Sequence, residues 1–97
     1  MNNLIGANIT TIAGTPINLA TEAGDTSGRA IASITLDVSA DNTANVVLKG
    51  PGLQSAGVEL APGSSFQLIR VNLSQMTVER ASGGSGNQTM TFLGDTF

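Results

Sequence analysis

Seven acids (Glu22, Asp25, Asp37, Asp41, Glu59, Glu79 and Asp95) and four basic residues (Arg29, Lys49, Arg70 and Arg80) are the ionisable side chains this sequence offers for chemistry. Histidine, cysteine, tyrosine and tryptophan are all absent. Asp37 and Asp41 flank one polar turn, while Glu59 and Glu79 fall on separate apolar runs. Two carboxylates facing each other across a sugar cleft would suit glycoside hydrolysis, one as acid and the other as base or nucleophile. Without histidine there is no Ser-His-acid relay, and without histidine and cysteine no zinc set of the usual kind. A serine or threonine nucleophile would need Lys49 or an N-terminal amine as its base, and no local pattern supports either. The acids read instead as solvated charges on turns and outer strand faces. The expectation is a non-enzyme, with no catalytic residue, no cofactor and no metal.

The elements that would carry these groups are strands. Across 97 residues, short runs of Ile, Val, Leu and Thr alternate with Gly, Pro, Asn and Asp. Ala32, Ile34, Leu36 and Val38 alternate with Ile31, Ser33, Thr35 and Asp37, a period of two with one mostly polar face. Residues 40–44 read as a turn, followed by a strand with Val46 and Leu48 inward. Lys49-Gly-Pro-Gly52 breaks the chain, Val58 and Leu60 mark another strand, and Pro62-Gly63 breaks it again. Between Phe66 and Leu73 the apolar phase slips, with Phe66 and Leu68 on one register and Ile69, Val71 and Leu73 on the other. A bulge produces such a slip; the alternative is a strand apolar on both faces. Met76 and Val78 resume the alternation, and Met90 with Phe92 lies on a final strand. No run of ten residues shows helical periodicity. These patterns predict an all-β fold, a small antiparallel β-sandwich that is jelly-roll-like or immunoglobulin-like. The expected core contains Ile34, Leu36, Val46, Leu48, Val58, Leu60, Leu68, Val71, Leu73, Val78 and Phe92.

Residues 1–29 read as an N-terminal arm or edge strands, and 30–97 as the sandwich domain. Asn8–Ile12 and Pro16–Leu19 are short strand candidates, and the polar stretch 21–28 is turn-forming. Ile5, Ile9, Ile12, Ile17 and Leu19 make this segment too apolar for a free tail, so they are candidate contacts to a neighbour. The rival reading is that the segment completes its own sandwich. Gly50, Pro51 and Gly52, with Gly83 and Gly84, are candidate contacts on loop tips, where recognition usually resides. Neither glycine cluster is a phosphate loop, since no GK[ST] follows.

A net charge of -3 and four scattered cations make a poor footprint for a phosphate backbone, so nucleic-acid binding is not expected. No apolar run approaches the roughly 18 residues of a bilayer span, and the first residues do not read as a secretory signal. The Asn72-Leu-Ser74 sequon carries no weight without one. Three aromatics, all Phe, make a thin stacking platform for sugars.

Residues 30–94 resemble a class of small tailed-bacteriophage virion proteins. Three motifs carry the resemblance: the corner Val58-Glu-Leu-Ala-Pro-Gly-Ser-Ser65, the run Asn72-Leu-Ser-Gln-Met-Thr-Val78, and the ending Met90-Thr-Phe-Leu-Gly94. This chain has Asn72 where the class usually has "D-L-S", and it continues past Gly94 with Asp95-Thr-Phe97. The resemblance implies a β-sandwich accessory of the particle that decorates and cements the assembled capsid. Its implied partner is the major capsid protein, its place the head surface, and its assembly site the host cytoplasm. A tail or head-tail connector role is the first alternative, and a carbohydrate-binding adsorption module the second. A homo-oligomer is expected, a trimer foremost, because shells offer three-fold sites between capsomers. No membrane partner is expected.

Leu36, at the centre of the clearest alternation, tests the strand reading. Leu36→Ala should cost about 2–5 kcal/mol in denaturant unfolding, the range for a fully buried leucine. A loss near zero would place Leu36 on the surface.

Overall fold

The computed structural model describes residues 4–25 and 31–96. Eight strands form two four-stranded antiparallel sheets packed face to face. They are β1 (Leu4–Ile12), β2 (Ile17–Asn18), β3 (Ile31–Val38), β4 (Val46–Lys49), β5 (Val58–Leu60), β6 (Ser65–Asn72), β7 (Thr77–Arg80) and β8 (Gln88–Thr96). A single helical turn, α1 (Leu19–Glu22), follows β2, and a 3-10 turn covers Leu73–Gln75.

The first sheet has the order β1-β8-β3-β6 and the second β2-β7-β4-β5. Pairing is therefore nested: β1 with β8, β2 with β7, β3 with β6, and β4 with β5. That nesting is the jelly roll, and it decides between the two sandwich types the sequence leaves open. All connections except the β4–β5 loop cross between the sheets. One end of the sandwich carries the connections 13–16, 39–45, 61–64 and 81–87. The opposite end carries α1, the loop 50–57 and the 3-10 turn, beside residues 4 and 96.

Alternation along β3 places Ala32, Ile34, Leu36 and Val38 inside, and Phe92 and Met90 of β8 lie opposite Leu36 and Val38. From the second sheet come Val46, Leu48, Leu60 and Val78. The phase slip in β6 is a bulge: Ala32 pairs with Val71 and Ile34 with Leu68, so Ile69 and Arg70 together oppose Ser33. Arg70 takes a positive φ of 54° there, and its N–H donates to Ser33 Oγ at 3.1 Å.

Three expected core residues differ. Val58 is 36% exposed, because β5 is a three-residue edge strand beside the open flank of the sandwich. Leu68 and Val71 are only partly buried, since β6 is the other edge on that flank. Conversely, Ile9, Ile12, Leu19 and Ala20 are buried and complete the core from the N-terminal side. β1 is the edge of one sheet and β2 of the other, so within residues 4–25 the segment packs on its own sandwich. Residues 1–3 and 26–29 of the proposed arm lie outside the described residues.

One polar side chain sits in this interior. Gln88 is fully buried, and all its hydrogen-bonding capacity is used. Its Oε1 accepts from Thr43 N–H at 2.8 Å and Ala44 N–H at 3.1 Å, while Nε2 donates to Thr43 Oγ1 and Ser85 O. Gln88→Leu retains most of the bulk but leaves the two backbone donors dry. The expected cost is about 1–3 kcal/mol for each donor so stranded, read by urea unfolding. An unchanged midpoint would mean water replaces the amide.

Candidate functional site

The first sheet's outer face combines large exposed apolar groups with a polar groove. Alternation turns Leu4, Gly6 and Asn8 of β1 outward, with Asp95, Leu93 and Thr91 of β8 opposite them. Across β3 the rows continue through Ser33, Thr35 and Asp37 to β6. Near residues 4 and 96 large apolar groups stand exposed beside Asp95 and Ser33: Leu4 is 79% exposed, Leu93 60% and Ile69 66%. The bulge exposes Ile69, since without the extra residue the alternation in β6 would not break. Gly6 lets Leu93 lie across β1, because a Cβ there would sit 2.6 Å from Phe92 O and 3.0 Å from Leu93 Cδ1.

Towards the other end the same face becomes polar. Asn8, Thr10, Asp37, Ser39, Thr89 and Thr91 line a shallow depression of about 430 Å³. Several of its groups are engaged: Thr91 Oγ1 donates to Asn8 Oδ1 at 3.1 Å, and Asp37 accepts from Ser65 Oγ beside the depression. Asn42 grips the backbone of Thr89 at the rim, donating to its carbonyl and accepting from its N–H.

The carboxylates considered for acid–base work lie on the second sheet. Glu59 and Glu79 both pair in register with Val47, from opposite sides. Two strand spacings, about 9–10 Å, therefore separate their backbones. Val47 stands between them and is nearly buried, so a valine fills the space a scissile bond would need. Glu79 accepts an ion pair from Lys49 at 2.7 Å, and Glu59 accepts from Asn45 Nδ2 at 3.0 Å. Lys49 is thus held by a carboxylate rather than by a hydroxyl. Among the described residues, no three acids cluster as a metal site would require.

The sequence-based contact residues are dispersed. Ile9, Ile12 and Leu19 are buried in the core, which removes their side chains from contact with a neighbour in this fold. Ile5 and Ile17 are partly buried on the rim. Gly50, Pro51 and Gly52 form a turn closed by Leu53 N–H donating to Gly50 O at 3.2 Å. Gly83 and Gly84 form another, closed by Gly84 N–H on Ala81 O. These two tips lie at opposite ends of the sandwich and share no surface. Leu4 and Leu93 carried no sequence signal as contacts, because their exposure follows from strand order, whereas Ile69 belongs to the second apolar phase of 66–73, which one reading set against a partner.

Two of the three motifs behind the resemblance are places where the chain turns, and the third, Met90–Gly94, lies within β8. Ser64 N–H returns to Ala61 O around Pro62-Gly63, and Gly63 N–H reaches Val38 O, fixing the corner to β3. Asn72 caps the 3-10 turn, its Oδ1 accepting from Ser74 N–H and Oγ, while Asn18 Nδ2 donates to Ser74 O. No family model, curated protein or solved structure matches this chain.

The loop 50–57 supplies a paired test of local strain. Gly52 has φ of 87°, and a Cβ added there would meet nothing within 4 Å. Gly57 has φ of 85°, and its Cβ would strike Val47 and Lys49. Gly52→Ala should cost about 1–2 kcal/mol, all from the left-handed backbone. Gly57→Ala should cost clearly more in the same urea titration. Equal losses would mean that the loop shifts freely off Val47.

Proposed function

We propose that this chain is a non-enzymatic structural protein of a phage particle that binds the assembled capsid surface and stabilises it. The observation that carries the reading is the outer face of the first sheet, where Leu4, Leu93 and Ile69 stand exposed on a rigid jelly roll. Monomers expose scattered apolar groups, but three large ones on one end of one face suit a partner surface. Binding only the assembled lattice stabilises that lattice by mass action. The motif resemblance over residues 30–94 supplies the kind of partner, a major capsid protein. Fold alone supplies no function, since jelly rolls serve many.

Immunogold labelling of intact virions tests this reading. Label repeated over the head is expected. Label confined to the tail favours the tail or connector role, and saturable binding on a glycan panel without virion label favours the adsorption module. Leu93→Ser and Ile69→Ser should leave unfolding stability within about 0.5 kcal/mol. Each should weaken retention on shells by about tenfold or more, the effect of losing one buried aliphatic contact. Full retention in both variants would rule out this face as the contact.

A further inference from the structure

Four strands are sheet edges among the described residues: β1 and β6 in the first sheet, β2 and β5 in the second. An unpaired edge offers a row of backbone donors and acceptors, and native proteins blunt such rows with charge, proline, bulges or brevity. Three of these edges are blunted. β6 carries the bulge with Arg70 at its centre, β5 is three residues long and bears Glu59, and β2 is two residues long and follows Pro16. β1 is different. Its nine residues contain no charge and no proline, and its only irregularity falls between Ile9 and Ile12, leaving 4–9 in unbroken register. Beside this edge, Ile5 and Ala7 face inward but are only partly buried.

We propose that the β1 edge pairs antiparallel with the β1 edge of a second copy of this chain. The two first sheets would then join into one continuous sheet about a two-fold axis. Charge distinguishes the edges for self-pairing, because a two-fold axis sets each strand against its own copy and a charge near the axis meets itself. Arg70 on β6 and Glu59 on β5 would do so, whereas residues 4–12 bring no charge to the pairing. The same operator matches donors with acceptors on an identical, self-complementary strand. A second copy would also cover the rim at Ile5 and Ala7. The outer face bearing Leu93 and Ile69 stays free, so the pairing does not rest on the shell reading and survives its failure.

Sedimentation or light-scattering mass measurement across a concentration series tests the pairing. The wild type is expected to reach twice the 9.8 kDa chain mass. Asn8→Lys places a cation on the outward side of the edge and should return the mass to that of one chain, with an unchanged circular dichroism spectrum. Mixing N8K with N8E should restore the double mass, because the two edges then carry opposite charges. Gln67→Lys, on the β6 edge, should leave the dimer intact. If N8K fails to fold, Thr10→Lys serves in its place. A single-chain mass at every concentration overturns the proposal. So does a three-chain mass, or a dimer that N8K and T10K leave intact.

Discussion

The buried amide of Gln88 is the constraint on which the crossing geometry depends. It stands at the start of β8, the strand between β1 and β3, where Ile12 is its register partner. Through two acceptor and two donor contacts it ties that strand to the connection entering β4 and to the one leaving β7. Two passages of chain between the sheets are thereby held by one side chain. A hydrogen bond in a low-dielectric interior is strong when made and expensive when missing, so such a network specifies one arrangement over its neighbours. Asn42 extends the effect by acting as an extra strand residue against Thr89. The opposite end is closed by Leu19 N–H on Met76 O and by the Asn18–Ser74 contact.

Much of the architecture is legible in the residues, and what escapes does so for physical reasons. The alternation from Ala32 to Val38 is read directly because β3 is paired on both sides and packs one face only. The slip between Leu68 and Ile69 announces the bulge because the side-chain period of two cannot otherwise change phase. The N-terminal segment is harder: the register irregularity near Thr10 and Thr11 and the break at Gly14 to Pro16 interrupt its alternation, so Ile9, Ile12 and Leu19 do not look like one core face. Val58 reads as core by its phase and is exposed by its place at an edge. Gln88 follows a glycine-serine tip and gives no hint of burial, since its partners Thr43 and Ala44 lie 45 and 44 residues away. Sheet order sets these exposures, and it depends on pairings between distant runs.

The surface divides its labour along the first sheet. Groups that could contact a ligand in the polar depression are tied to one another, as Thr91 is to Asn8 and Ser65 to Asp37. Leu93 and Ile69, by contrast, stand exposed on the same face. The carboxylates of the second sheet are engaged in a different way, Glu79 by the Lys49 ammonium and Glu59 by a hydrogen bond from the Asn45 amide, with Val47 between them.

The nested pairing has a consequence for how the molecule comes into being. Only β4 and β5 are neighbours both in the chain and in a sheet, and each further nested pair closes a longer stretch of chain, out to β1 with β8. β1 is synthesised before its partner, β8, so Leu4 must wait for Asp95. Such long-range closure slows folding. During that wait the uncharged run Leu4–Ile9 emerges from the ribosome as an orphan strand, the kind of segment that attracts other chains and chaperones. Of the eight strands β1 therefore waits through the longest stretch of chain for its partner, and its inner neighbour is in place only when β8 arrives.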